Sequence, residues 1–153
     1  RLTEGVVVER IMSTEVVAVN PESPLEDVIR IMAEECISGL PVVDGVDGAL
    51  VGVVSESDLL RLMAGEKASF TKVVSDCLAG SRCLVSSLRN RAAGDIMTTS
   101  VITVVPEDPM IVASELMATH EVNRLPVVVG ARRLVGIVTR GDILRHSSGE
   151  VVG

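Results

Sequence analysis

The apolar residues that follow Pro24 have the spacing of an amphipathic helix. They recur at intervals of three and four positions, which places them on one helix face: Leu25, Val28, Ile29, Met32, Ala33 and Cys36. Proline is well tolerated at the first helical position, where its missing N–H costs no hydrogen bond. Pro24 is therefore expected to begin the helix, with Ser23 as its N-cap and Glu26 completing a capping box.

Short runs of β-branched residues on both sides of this helix predict strands. Val16–Val19 precedes the helix, and LPVVD (residues 40–44) and ALVGVVS (residues 49–55) follow it around a turn rich in glycine and aspartate. A further helix is predicted over Glu56–Met63. Near-continuous valine and isoleucine runs are typical of strands covered by helices on at least one face. The predicted order is strand, helix, strand, strand, helix.

This order occurs twice, because the chain contains a tandem repeat. The segment IMSTEVVAVNPESPLEDVIRIMAEECISGLPVVD (residues 11–44) aligns with IMTTSVITVVPEDPMIVASELMATHEVNRLPVVV (residues 96–129) at an offset of 85. One residue is lost in the next turn, after which VGVVSESDLL aligns with VGIVTRGDIL. The second repeat has counterparts of these predicted elements. Asp108 is its predicted N-cap, Val101–Val105 is its first strand, and Arg140–Arg145 is its last helix.

The repeat predicts the fold class and the domain boundaries. A unit of roughly 60 residues buries too little surface to be stable alone, so two copies are expected to share a core. We expect an α/β fold in which two β-α-β-β-α repeats, residues 6–64 and 93–148, pack as a pseudo-twofold pair with a ligand cleft between them. Residues 65–92 are expected to form a helical insertion, because a second apolar stripe runs from Phe70 to Leu78.

Charge and composition argue against several classes of function. The 21 acidic and 14 basic residues give a net charge of −7, which disfavours binding to nucleic acid. No run of 18 apolar residues is present, so no membrane-spanning helix is predicted. Cys36, Cys77 and Cys83 form no C-x-x-C pair, which is typical of a reduced, cytoplasmic chain with buried thiols. The chain has only two histidines, His120 and His146, and lacks P-loop and Gly-x-Ser-x-Gly motifs, so neither a metal site nor catalysis is predicted.

A Ser/Thr-x-x-Asp motif stands at the same place in both repeats. It comprises Ser55 and Asp58 in the first repeat and Thr139 and Asp142 in the second. Such a motif is a sufficient helix cap by itself. The carboxylate could also accept charge-assisted hydrogen bonds from a ligand. The duplicated motif favours a ligand site that is also a cap.

The quoted segments, in this order and present twice, resemble a tandem pair of cystathionine-β-synthase (CBS) domains, often called a Bateman module. The resemblance covers the chain apart from the insertion and the termini. It implies a non-catalytic regulatory module that binds adenosine-containing ligands and has no resident cofactor. The candidate ligands are AMP, ADP, ATP and S-adenosylmethionine.

The resemblance also implies which residues form the ligand sites. Asp58 and Asp142 would accept hydrogen bonds from both ribose hydroxyls, and Ser55 and Thr139 would contact ribose or phosphate. Further implied site residues follow the IM pair or precede the LPV run: Ser13, Thr98, Ile37, Ser38, Val122 and Asn123.

Two basic residues of the second repeat are candidates for binding phosphate. Arg124 stands where some members of the family place a phosphate-binding residue, whereas the first repeat has Gly39 at that position. Arg140 directly follows Thr139 and is also expected near a phosphate. The first repeat is therefore the weaker candidate for a phosphate contact.

These expectations combine into a cytoplasmic ligand sensor that is not an enzyme. Ligand binding would change the packing of the two repeats, and a separate effector protein could read the change. The resemblance implies a homodimer formed through helical faces. The alternative is a structural dimerisation or interaction module with degenerate ligand sites, which Gly39 and the scarcity of aromatic residues favour. An enzyme built on this fold is disfavoured by the lack of a catalytic constellation.

Overall fold

The computed structural model of the protein describes residues 5–46, 48–62 and 90–152, with side chains up to residue 147. Its elements follow the predicted α/β order, with two additional short helices in the described residues, a 3₁₀ helix (Val8–Arg10) and α3: α1 (Leu25–Glu35), β1 (Gly39–Val43), β2 (Leu50–Ser55), α2 (Glu56–Leu62), α3 (Ala93–Ile96), α4 (Met110–His120), β3 (Arg124–Val129), β4 (Arg133–Thr139) and α5 (Arg140–Val152). The predicted helical insertion, with Phe70, Cys77 and Cys83, lies outside the described residues apart from residues 90–92.

The chain divides into two compact units, and each takes segments from both sequence repeats. Within the described residues, the Asp58 unit comprises residues 17–46, 51–62 and 90–101, and the Asp142 unit comprises residues 5–16, 48–50 and 102–152. In the sheets, β1 pairs with β2 and β3 pairs with β4. The segments around Ser13 and Thr98 therefore each belong to the unit that holds the other repeat's Ser/Thr-x-x-Asp motif.

Each unit has its own apolar core, and the two cores use equivalent positions. The Asp58 unit buries Val19, Leu25, Val28, Ile29, Met32, Leu40, Val42, Val54, Leu59 and Ala93. The Asp142 unit buries Val6, Val8, Val104, Met110, Ala113, Met117, Leu125, Val127, Val138 and Ile143. At the offsets of the repeat, every core residue except Ile29 and Val6 has a counterpart in the other core. The duplication thus preserves the packing positions as well as the motifs.

The two long helices begin one residue later than predicted. Pro24 and Pro109 have extended backbone (ψ 144° and 145°) and occupy the N-cap position without a side-chain cap, and Glu26 closes no capping box. The Oγ of Ser23 and the Oδ2 of Asp108 instead each accept a hydrogen bond, both 3.0 Å, from the N–H three residues earlier. The expected caps are therefore wrong, because these short polar side chains close the preceding turn.

Two further elements differ in length from the prediction. The first strand of each repeat is reduced to a single residue, since Val19 forms a parallel bridge with Val42 and Val104 forms one with Val127. The last helix continues well beyond its predicted end and reaches Val152. It does so through Gly149, which a helix interior tolerates at a cost of about 1 kcal/mol.

Cys36 is exposed, so the expectation of a buried thiol is wrong at this position. The residue ends α1 in the left-handed conformation (φ 55°), and Glu121 ends α4 in the same way (φ 55°). The N–H of Cys36 donates to the carbonyl of Ala33 (3.3 Å). The apolar spacing continues to Cys36, but the helix ends there and turns the side chain out of the stripe.

Candidate functional site

The carboxylate of Asp58 lies in the first turn of α2 and is almost completely buried (4 % exposed). Its Oδ2 accepts hydrogen bonds from the N–H (2.9 Å) and the hydroxyl (3.1 Å) of Ser55. The N–H of Asp58 in turn lies 3.4 Å from Ser55 Oγ. These reciprocal contacts form a capping box at the junction of β2 and α2, so the motif does cap the helix.

The other carboxylate oxygen of Asp58 faces two more donors. Its Oδ1 accepts hydrogen bonds from the hydroxyl of Thr98 (3.2 Å) and from Nη2 of Arg61. Thr98 reaches this position because its N–H and carbonyl pair with those of Val53 in β2 (2.8 and 3.0 Å). Arg61 follows Asp58 by three residues, a spacing that places both on one helix face. Its side chain is 69 % exposed.

Asp142 holds the equivalent position in the first turn of α5. Its Oδ2 accepts a hydrogen bond from the N–H of Thr139 (2.9 Å), and its own N–H donates to Thr139 Oγ1 (3.1 Å). Its Oδ1 accepts one from Nη2 of Arg145 (2.5 Å). Ser13 lies against β4 through backbone hydrogen bonds with Ile137 (2.8 and 2.9 Å). Within the described residues, no hydrogen bond joins the Ser13 side chain to Asp142.

Arg124 adds a partly buried positive charge beside Asp142. It begins β3 and is paired directly with Thr139 in the antiparallel register of β3 and β4. Its Nε is buried and has no acceptor among the described residues, an arrangement that costs free energy unless a ligand supplies one. Burial lowers the pKa of the Arg124 guanidinium, and the charge of Asp142 partly opposes that shift. Gly39 occupies the equivalent position at the start of β1.

The residues before β1 and β3 connect these strands to the motif helices through the backbone. The carbonyl of Ser38 accepts a hydrogen bond from the N–H of Glu56 (2.9 Å), and the carbonyl of Asn123 accepts one from the N–H of Arg140 (2.9 Å). The side chains of Asn123 and Arg140 are exposed. In the part of the chain that the structure describes, these side chains form no hydrogen bond with the carboxylates.

A cavity of ≈ 300 Å³ lies in the Asp58 unit between the C-terminal half of α1 and α2. Ile37 and Ser38 line it, whereas Asp58 and Thr98 do not. Val122, the counterpart of Ile37, is 39 % exposed. Ile37 and Val122 are therefore in the neighbourhood of the motifs, but the contacts do not group them with the carboxylates.

Two glycines allow the segments that contain an Ile-Met pair to lie close to the strands that precede the Asp motifs. Met12 and Ser13 approach β4, and Met97 and Thr98 approach β2. A Cβ on Gly52 would lie 2.6 Å from Sδ of Met97, and a Cβ on Gly136 would lie 2.7 Å from Sδ of Met12 and 2.9 Å from the carbonyl of Ser13. The backbone carbonyl of Ser13 cannot move aside for a Cβ on Gly136, and the carbonyl of Thr98 would lie only 3.0 Å from a Cβ on Gly52. A glycine in each strand is therefore needed for the close backbone approach that positions Thr98 and Ser13.

Of the predicted site residues, the structure groups Ser55, Asp58 and Thr98 in one unit and Thr139, Asp142 and Arg124 in the other. Arg61 and Arg145 pair with the two carboxylates, a role that was not predicted for them. A signal was present, because each repeat has an arginine three residues after its motif aspartate. That spacing is typical of ion pairs on a helix.

Metal sites and membrane-spanning helices are absent from residues 5–46, 48–62 and 90–152. No group of three or more His, Cys, Asp or Glu side chains in these ranges could hold a metal ion. No helix in the same part of the chain is both long and apolar enough to cross a membrane.

Comparison with known proteins identifies the repeated unit. The family model of the CBS domain matches the chain twice, at residues 8–65 and 93–149. The chloroplastic CBS domain-containing protein CBSX2 of Arabidopsis thaliana is 33 % identical over 135 residues, which cover 83 % of this chain and 56 % of the relative. The chain thus spans little more than half the length of that protein.

Two solved structures are similar to the whole chain. The crystal structure of CBSX2 in complex with AMP has a TM-score of 0.74 and 31 % identity, and the match covers 95 % of this chain and 98 % of that one. The CBS domain pair of protein MJ0100, in complex with 5′-methylthioadenosine and S-adenosyl-L-methionine, has a TM-score of 0.70 and 26 % identity, with 93 % and 99 % covered.

A further relative is a much larger enzyme. The inosine-5′-monophosphate dehydrogenase of Methanocaldococcus jannaschii is 30 % identical over 138 residues, which cover 90 % of this chain but 23 % of the enzyme. The duplicated motifs, the equivalent cores, the two matches of the family model and the fold of the CBSX2 structure all agree. The chain belongs to the CBS domain family and carries two CBS domains in tandem.

Proposed function

We propose that this CBS pair is a regulatory module that binds adenosine-containing ligands and is not itself an enzyme. The observation that carries the proposal is the pair of carboxylates, Asp58 and Asp142, each held by the preceding Ser or Thr at a strand–helix junction. A carboxylate can accept charge-assisted hydrogen bonds from both hydroxyls of a ribose. The CBSX2 complex with AMP and the MJ0100 complexes support the ligand class, because all three ligands contain adenosine.

In this proposal, the Asp142 unit is the site that takes a phosphorylated ligand such as AMP, ADP or ATP. Arg124 has a buried Nε that lacks an acceptor among the described residues, and it lies beside Asp142. A guanidinium binds phosphate through several N–H donors in a fixed plane. The further residues proposed for this site are Thr139, Ser13, Val122, Asn123 and Arg140.

The Asp58 unit provides the second proposed site and differs from the first in its charge. Gly39 leaves it without the counterpart of Arg124. A ligand with an uncharged or positively charged 5′ group, such as S-adenosylmethionine, therefore suits this site better than a nucleotide does. The residues proposed here are Asp58, Ser55, Thr98, Ile37 and Ser38.

The regulatory part of the proposal is supported by where such domains occur. The match to inosine-5′-monophosphate dehydrogenase leaves more than three quarters of that enzyme unmatched. The dehydrogenase chemistry can therefore reside outside the matched part. We propose that ligand binding changes the packing of the module, and that a separate effector protein or an attached domain responds to it.

Calorimetry and thermal shift with AMP, ADP, ATP and S-adenosylmethionine test the ligand class. A ligand at about 100 times its Kd adds about 2.7 kcal/mol to the free energy of unfolding, which is readily measured. Asp58→Ala and Asp142→Ala should each weaken binding. Asp27→Ala is the matched control, because Asp27 forms an exposed i, i+3 ion pair with Arg30 (2.9 Å) away from both motifs. Wild-type protein that binds none of these ligands would contradict the proposal.

A structural dimerisation module is the second candidate function, and exposed apolar residues favour it. Leu60 and Leu144 hold equivalent positions on α2 and α5 and are 51 % and 59 % exposed. If they form a homodimer interface, Leu60→Glu combined with Leu144→Glu should yield monomers in sedimentation experiments. Val46→Glu is the control, because Val46 is 89 % exposed in a turn. A dimer that binds no ligand would favour this second function over the first.

A further inference from the structure

Protein donors fill the Asp58 carboxylate. A carboxylate offers about four lone-pair positions to hydrogen-bond donors. At Asp58, the N–H and hydroxyl of Ser55 occupy Oδ2 (2.9 and 3.1 Å), and the hydroxyl of Thr98 (3.2 Å) and the guanidinium of Arg61 occupy Oδ1. A ribose diol therefore cannot bind this carboxylate unless one of these donors leaves.

The Asp142 carboxylate is only partly occupied. Within the described residues it accepts hydrogen bonds from the N–H of Thr139 (2.9 Å) and from Arg145 (2.5 Å). Ser13, the counterpart of Thr98, donates no hydrogen bond to it. Its side chain is also more accessible, at 14 % exposed against 3 % for Asp58. A vicinal diol can therefore bind Asp142 without displacing a donor that belongs to the described residues.

We infer that Arg61 is a latch on Asp58 that makes the two ligand sites unequal. The Asp142 site accepts an adenosine-containing ligand directly, whereas the Asp58 site accepts one only after the Arg61 guanidinium leaves Oδ1. This inference rests on the proposed function, because it takes a ribose diol as the group that the carboxylates bind. It adds a specificity-determining residue outside the Ser/Thr-x-x-Asp motif. It also sets the order in which ligand occupies the two sites, with the Asp142 site first.

Arg61 is the donor that can leave with the least disruption. The Ser55 N–H is part of the backbone at the end of β2, and Thr98 is fixed by two backbone hydrogen bonds with Val53. The Arg61 side chain is long and 69 % exposed, so it can move into solvent without breaking backbone pairing. Because the Arg61 guanidinium is exposed, ions in solution can also screen its attraction to Asp58.

The latch has two consequences that can be measured. Adenosine should bind more tightly at Asp142 than at Asp58, because only binding at Asp58 includes the loss of an ion pair. Added salt should narrow this difference, since it weakens the contact between Arg61 and Asp58. Arg145 also pairs with its aspartate, but it does not need to leave for a diol to bind.

The test is titration calorimetry with adenosine, which has both ribose hydroxyls and no phosphate for an arginine to bind. Asp142→Ala leaves Asp58 as the only carboxylate site, and Asp58→Ala leaves Asp142. In the Asp142→Ala background, Arg61→Gln should strengthen adenosine binding about tenfold, the scale of one charge-assisted hydrogen bond. In the Asp58→Ala background, Arg145→Gln should give a clearly smaller gain.

Arg30→Gln is the control, because Arg30 forms an i, i+3 ion pair with Asp27 in α1 that contacts neither motif. Circular dichroism of each variant verifies that it is folded. Unchanged or weaker binding on Arg61→Gln, or an equal gain on Arg145→Gln, would overturn the latch. So would an Asp58 site that stays inactive after Arg61→Gln, even if Asp142 binds adenosine and the proposed function stands. If neither aspartate affects binding in the otherwise wild-type chain, the proposed function itself fails.

Discussion

The hydroxyl of Thr98 donates a hydrogen bond to Oδ1 of Asp58 at 3.2 Å, across 40 positions of sequence. The contact joins the IM segment that opens the second sequence repeat to the motif of the first. Ser13 mirrors this placement, since it pairs with Ile137 next to the motif of the second repeat. Each candidate site therefore depends on a segment that is distant from its motif in sequence.

Replacement of Thr98 by valine should lower stability without a change of side-chain shape. Thr98→Val removes one hydrogen bond to a buried carboxylate, and we expect a loss of about 1 kcal/mol in the free energy of unfolding. Urea denaturation measures it. Thr99→Val is the control, because Thr99 is exposed and adjacent. Equal losses for the two variants would mean that the bond to Asp58 contributes nothing.

Two adjacent leucines of α2 should respond very differently to truncation. Leu59 is completely buried, whereas Leu60 is 51 % exposed. Leu59→Ala should cost about 2–5 kcal/mol of unfolding free energy, because it leaves a cavity in the core. Leu60→Ala should change it by less than about 0.5 kcal/mol. Chemical denaturation of both variants under conditions that keep the chain monomeric makes the comparison; similar losses would contradict the assignment of the helix face.

The glycine in β4 should not tolerate a methyl group. Gly136→Ala brings the new Cβ within 2.9 Å of the Ser13 carbonyl, which is backbone and cannot swing aside. We expect a loss of about 1–3 kcal/mol in stability, as in other overpacked interiors. Thermal unfolding reports it. Gly5→Ala serves as the control, since a Cβ there meets no atom of the described residues within 4 Å.

Arg124 should contribute to ligand binding and not to folding. Arg124→Met keeps most of the side-chain volume and removes a buried donor that has no acceptor among the described residues, so thermal stability should be unchanged or higher. AMP binding should weaken by about tenfold or more through the loss of a charge-assisted hydrogen bond. Adenosine, which has no phosphate, should bind with nearly unchanged affinity. A loss of stability, or an equal loss for both ligands, would contradict the proposed phosphate contact.

The missing cation of the Asp58 unit can be introduced at Gly39. A Cβ at this position would lie 3.4 Å from the nearest atom, the carbonyl of Val54, which is close to ordinary van der Waals contact. Gly39→Arg, made in the Asp142→Ala background, should raise the affinity for AMP relative to adenosine. Gly39→Met is the matched control of similar length without charge. Calorimetry with both ligands measures the ratio of the affinity for AMP to the affinity for adenosine. An equal ratio in Gly39→Arg and Gly39→Met would argue against a phosphate at this site.

The repeat and its periodicities predicted the parts of the fold that are determined locally. The stripe from Leu25 to Met32 is buried as expected, and the cap formed by Ser55 and Asp58 was one of the two readings of the motif. The predicted start of α1 was wrong because Ser23 can cap either the helix or the turn before it. No neighbouring residue distinguishes these two possibilities. The prediction that the Cys36 thiol is buried was wrong because the apolar spacing extends past the residue at which α1 ends.

The partners of Ser13 and Thr98 could not be read from the pattern. Both follow an IM pair, and both β2 and β4 contain a glycine that admits a methionine, Gly52 or Gly136. Alternation along a segment indicates which face it buries, but not which of two similar sheets it joins. Arg61 and Arg145 were overlooked for a different reason, since an arginine on a helix surface usually forms ion pairs of little consequence.

The composition of the Asp142 unit determines when its core can form during protein synthesis. Val8 is fully buried in that core, but most of the core residues lie in residues 102–152, which follow it in the sequence by more than 90 positions. Ribosomes add about 5–20 residues per second, so the segment that contains Val8 emerges roughly 5–20 seconds before its partners. The Asp58 unit lies wholly within residues 17–101, so its segments are all synthesised earlier. The apolar segment that contains Val8 is thus covered only after residues 102–152 have been synthesised.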